Sequence, residues 1–188
     1  MNAARLFYRT RQFWHTLYSS VSEEELGLAS TVLSPAQLAL FLQMQASEQA
    51  HSLRVFRSLV QQGEEDPELL AASLLHDAGK VRVPLRAWER VLIVLAEAIC
   101  ARCVRRWGTP VPGKEVEQAG WRRPFIVAVQ HPAWGAELAA LYGASPVIVN
   151  LIRRHQEKIE VDNAGGAAAE SSCEALLLRK LQSADDDS

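Results

Sequence analysis

Residues 66–80 read DPELLAASLLHDAGK. Asp66-Pro67 is a helix start: a side-chain oxygen for the first amide groups, then a ring where no amide partner is missed. Gly79 marks the stop. Between these signals Leu70, Leu74 and Asp77 share one helical stripe, and Leu69, Ser73 and His76 share its neighbour. An imidazole and a carboxylate therefore arrive side by side on core-facing positions. Adjacent helical residues point about 100° apart, so both lean towards one centre only near a helix end.

The same grammar recurs along the chain. Ser34-Pro35 opens a helix that runs to Gln62 before Gly63, and Ser145-Pro146 opens PVIVNLIRRHQEK. Ser22 with Glu25 forms a capping box for a shorter helix. Residues 85–107, 133–142 and 172–185 also read as helices. Period-two alternation is absent, and 108–120 and 161–172 read as surface loops. The fold class is all-α: a single helical bundle over 34–188, with residues 1–33 as a helical extension packed on it.

Composition agrees with one ordinary globular domain. The chain has 188 residues, 48% apolar and 22% charged, with a net charge of −2. A domain this size buries roughly 70% of its unfolded surface without needing disulfides. The charge argues against a nucleic-acid partner. The longest apolar run, 91–101, contains Glu97 and is about half of what a membrane span needs. Three cysteines and an N-terminus without a signal-peptide core lead to a cytoplasmic expectation. Cys100 and Cys103 lie in a helical stretch with no second pair and read as simple packing. His15 reads as structural.

More titratable residues fall on apolar stripes. Met44, Glu48, His51 and Val55 share one. Ile148, Leu151, Ile152 and His155 share another, and so do Leu178, Leu181 and Asp185. An unpaired buried charge is costly, whereas several such groups converging on a cation are not. Imidazole nitrogen and carboxylate oxygen suit Mn, Fe, Co, Ni or Zn, with Mg also admitted. Taken alone, His155 reads as a hydrogen-bonded core residue and Asp185 as the start of an acidic tail.

Assembled, these residues resemble the HD-domain superfamily of metal-dependent phosphohydrolases. The pattern of a His, an adjacent His-Asp and a distal Asp maps to His51 in AHSLRV, His76-Asp77 in LLHDAGK and Asp185 in LQSADDDS. His131 in HPAWGAEL and His155 in RRHQEK are similar to the additional ligands of the HD-GYP branch. That branch has a second His where Gln156 stands, and a Gly-Tyr-Pro signature where this chain reads KIEVDNAGG. Before Pro132, His131 is expected out of helical geometry, at a helix start.

The resemblance implies one or two divalent ions held by His51, His76, Asp77 and Asp185, with His131 and His155 completing a second site or facing the substrate. Asp77 and Lys80 are the expected catalytic residues, and Lys80 with Arg54 the expected contacts to a small phosphorylated substrate such as a nucleotide. Glu48 is a candidate to orient a ligand or relay protons. Arg122-Arg123 and Arg153-Arg154 read as solvated surface. Trp107, Trp121 and Trp134 serve either a homodimer contact or the core. Two alternatives stand beside hydrolysis: a diiron oxygenase on the same scaffold, and a non-catalytic ligand-binding signalling module.

Overall fold

A computed structural model describes residues 21–110, 112–113, 115–157 and 169–188. His15 and most of the 1–33 extension lie outside them. Eight α-helices occur among the described residues, in order: α1 Glu23–Val32, α2 Pro35–Phe41, α3 Ala46–Gln61, α4 Pro67–Leu75, α5 Ala87–Trp107, α6 Arg123–Leu141, α7 Pro146–Arg154 and α8 Ala169–Asp186. Three 3-10 turns, Ala78–Val81, Val116–Gln118 and Gly120–Arg122, complete the set, and no strand occurs among the described residues. The all-α expectation holds. No helix among them is long and apolar enough to cross a membrane.

The expected starts are present with their hydrogen bonds. Asp66 Oδ1 accepts from the amides of Glu68 and Leu69, both at 2.9 Å. Ser145 Oγ accepts from Ile148 and donates to Glu68, tying the starts of α7 and α4 together. Ser22 and Ser34 each form a reciprocal capping box, with Glu25 and Gln37.

Apolar stripes then build two clusters. The larger joins α1 to α4 with α7 and α8 through Leu40, Phe41, Leu53, Leu59, Leu74 and Leu181. Each fully buried leucine contributes about 1.5–3 kcal/mol. The smaller packs α5 on the first half of α6 through Ile93, Val104, Phe125 and Val127. Helix α6 belongs to both: its Ala136 and Ala139 lie in the larger cluster. His131 sits between those two stretches.

Several expectations need correction. The helix expected from Pro35 to Gln62 is two helices, broken at 42–45. No glycine or proline marks the break. Gln49 Nε2 makes it tolerable by donating to the carbonyls of Phe41 and Met44, both at 3.1 Å. The helix expected at 133–142 begins ten residues earlier, and Pro132 lies inside it. The last helix begins at Ala169, inside the stretch read as a loop. Cys100 and Cys103 are joined as a disulfide rather than merely packed, and Cys100 is non-helical there, with φ −153° and ψ 81°.

The arginines read as solvated divide. Arg122 donates to the carbonyls of Trp107 and Thr109 and braces the start of the 108–120 loop, whereas Arg123 bridges Glu89 and the Pro84 carbonyl and ties α6 to the start of α5. Trp107 packs edge-on against Trp121, and Trp121 remains exposed.

Candidate metal centre

Three of the histidines are held in the same way. His76 Nδ1 lies 2.8 Å from the Ser73 carbonyl, His155 Nδ1 2.7 Å from Ile152, and His131 Nδ1 2.9 Å from Ala128. A carbonyl oxygen only accepts, so each Nδ1 donates, and in the neutral ring each Nε2 is left with a lone pair. His76 and His155 occupy the C-caps of α4 and α7, where carbonyls lack helical partners. His131 reaches the same state mid-helix, because Pro132 has no amide for the Ala128 carbonyl. The expected helix start at His131 is therefore wrong. Proline frees a carbonyl instead, and the imidazole takes it.

The Nε2 atoms meet in pairs. His76 lies 3.3 Å from His51, and His131 lies 3.3 Å from His155. Asp77 stands between the pairs, with Oδ1 3.2 Å from His131 and Oδ2 3.8 Å from His76. Two sets of donor atoms are compact enough for an ion: His51, His76 and Asp77, and then Asp77, His131 and His155. Asp77 belongs to both. Asp185, in the last turn of α8, places Oδ1 2.8 Å from His51 and 3.5 Å from His76. Thus α3, α4, α6, α7 and α8 each deliver at least one of the six residues.

Close backbone packing makes this convergence feasible. Beyond α4, Asp77 leaves helical geometry and the chain tightens into the 3-10 turn. A Cβ on Gly79 would stand 1.9 Å from the His131 carbonyl oxygen and 2.6 Å from the Gly135 amide. Glycine here serves more than helix termination. It lets the turn that carries Asp77 lie directly on α6. Gln182 fixes the other side, donating from α8 to the carbonyls of Arg154 and Glu157.

Charge is distributed unevenly over the donors. Burial works to lower the His76 pKa, but the Asp77 and Asp185 carboxylates overcome it and raise it to about 9. Burial and then the neighbouring imidazoles His76 and His131 push His155 down to about 3. Burial would raise both acids. Lys80, His76 and His131 nevertheless hold Asp77 well below the usual carboxylate range, and His76 with His51 does the same for Asp185.

A second ring surrounds the donors. Lys80 Nζ lies 2.7 Å from Asp77 Oδ2 and 3.4 Å from Glu48 Oε2. Glu48, almost fully buried, takes Arg90 on its other oxygen at 2.5 Å, and Arg90 also meets Gln45. Lys80, Arg54 and Arg90 line a cavity of about 360 Å³ beside His51 and His131. Arg90 and Gln182 escape sequence reading, because their roles depend on which distant helix each faces.

The donor set fits a divalent transition ion. Four imidazoles and two carboxylates are the ligand types such ions take, and facing Nε2 atoms 3.3 Å apart call for a cation or a proton between them. A helical bundle with an adjacent His-Asp pair at a helix end and a distal Asp defines a metal-site domain of the HD type. The family model described as HD domain matches residues 49–186, and the chain belongs to that family. Comparison with curated proteins and with solved structures returns no match.

Proposed function

We propose that the chain is a metal-dependent phosphohydrolase acting on a small phosphorylated substrate such as a nucleotide. The supporting observation is the carboxylate of Asp77, shared by two compact donor triads in a buried pocket. Family membership adds to it, since HD domains are commonly metal-dependent phosphohydrolases. In this reading His51, His76, Asp77 and Asp185 hold one ion, and Asp77, His131 and His155 hold a second. A divalent ion so held supplies Lewis acidity toward phosphoryl oxygens and lowers the pKa of water.

The protein's own groups do the rest. The Nδ1–H bonds to main-chain carbonyls keep the histidines in one tautomer and orientation. Lys80 keeps Asp77 ionised and presents its ammonium to a phosphoryl oxygen in the smaller cavity. Arg54, one turn beyond His51, contacts the same phosphate. Glu48 positions Lys80 and Arg90 by holding both cations from a buried site.

The test is hydrolysis of para-nitrophenyl phosphate and a nucleotide panel by protein purified without chelator, with Mn, Co, Ni and Mg supplied in turn. Activity should vanish on chelation, return with metal, and fall at least 100-fold in the double variant His76→Ala/Asp77→Ala. Full activity in that variant would overturn the proposal. The same six donors also suit a pair of irons. Two irons per chain, with oxygen consumption and no phosphate release, would replace hydrolysis by the diiron oxygenase reading.

A further inference from the structure

The donor cluster has a second, larger opening. A cavity of about 920 Å³ reaches His155 and Asp185 from the side of α5, α7 and α8. Three arginines on three different helices line it: Arg105, Arg153 and Arg179. All are exposed, and none forms an ion pair or hydrogen bond among the described residues. The contrast with their neighbours is informative. Arg154 and Lys180, next in sequence to Arg153 and Arg179, are matched by Glu157 and Glu64. Glu97 and Asp186 also line the cavity, and among the described residues Asp186 forms no ion pair with these arginines.

Arginine presents a planar fork of donors suited to phosphate and carboxylate oxygens. Three forks from separate helices, opening on one space that ends at the donor cluster, form a receptor for a second anion. We infer that the substrate carries two separated anionic groups: the scissile phosphate at the donor cluster and a second phosphate on Arg105, Arg153 and Arg179. The cavity lies near the upper end of small-molecule sites, about 300–1,000 Å³, and leaves room for the body of such a molecule between its two ends. This assignment rests on the phosphohydrolase reading for its chemistry, and on the arginines alone for its anion site.

The probe is adenosine 3′,5′-bisphosphate set against adenosine 5′-monophosphate, using the metal-loaded full chain. The wild-type protein should prefer the bisphosphate by at least tenfold in kcat/KM. Arg153→Gln and Arg179→Gln should each reduce that preference about tenfold, the range of one lost charge-assisted hydrogen bond. Both positions are exposed on helix surfaces, where substitution rarely harms folding. Equal preference in the wild-type protein, or an equal loss on both probes, overturns the inference. If neither probe is hydrolysed, calorimetric binding of the bisphosphate decides separately. Binding weakened about tenfold by each variant keeps the anion site while hydrolysis falls. No binding, even with para-nitrophenyl phosphate turned over, removes the anion site and leaves the hydrolytic reading intact.

Discussion

Asp77 is the residue on which two sets of donors depend, and its position explains why its removal should differ from that of any single histidine. His155 belongs to one compact triad only, whereas Asp77 belongs to both. Loss of Asp77 also strands Lys80 beside Glu48 with an excess positive charge. In metal analysis, Asp77→Asn should lose all bound ion after dialysis, while His155→Ala should keep about half the wild-type content. Equal content in the two variants would mean that the triads do not share a bridging ligand. Protons compete for the same atoms. The metal-free His76 carries a proton below about 9, and an ion must displace it. Asp77 and Asp185 stay ionised, and His155 stays neutral, through the neutral range. Apparent metal affinity should therefore weaken as pH falls from 9 to 6, by about tenfold per unit for one displaced proton. Zinc titration in weakly buffered solution should show that proton released at pH 7. A flat affinity profile over this range would show that His76 is not a ligand.

At the scale of elements, the meeting of α6 with the 3-10 turn positions both triads. A methyl group at Gly79 has no space, since main-chain atoms of His131 and Gly135 stand in its path. Backbone cannot swing aside as a side chain does, so Gly79→Ala must push the turn off α6. The expected cost is about 3 kcal/mol or more. Unlike a purely structural substitution, it should also abolish metal retention at temperatures where the variant remains folded by circular dichroism. Retained metal would mean that the turn can shift without separating Asp77 from His131. Sequence reading reaches only part of this contact. Asp66-Pro67, Ser145-Pro146 and the stripes ending in His76, His155 and Asp185 are local signals, and a 3.6-residue period carries them to the core-facing side. The break at 42–45 carries no such signal, because a side chain several residues away, Gln49, compensates for it. The structure departs from the local bias of Pro132 for a related reason. Its steric bias on His131 is soft, and packing of α6 in two clusters outweighs it. Gly79 reads correctly as a stop, but its closer task needs the position of α6, which no local pattern contains.

For the whole molecule, the donors form a polar hole where two apolar clusters adjoin, and this bears on stability as well as chemistry. Burying imidazoles and ionised carboxylates opposes folding, and the large cluster around Leu53, Leu74 and Leu181 must offset it. An ion that binds only the folded chain reverses that balance. At a free concentration 100-fold above Kd it adds about 2.7 kcal/mol. A domain of this length shifts its Tm by about 2–4 °C per kcal/mol, so saturation should raise Tm by roughly 5–10 °C for each site filled. The shift should be largest for the ion that also supports turnover, and should nearly disappear in Asp77→Asn. Differential scanning calorimetry of chelated and metal-loaded protein measures it directly. If both forms melt together, the donors from five helices do not close on an ion: the facing imidazoles must then be satisfied by shared protons, and the convergence of His51, His76, Asp77, His131, His155 and Asp185 is a hydrogen-bonded core with no cage in it.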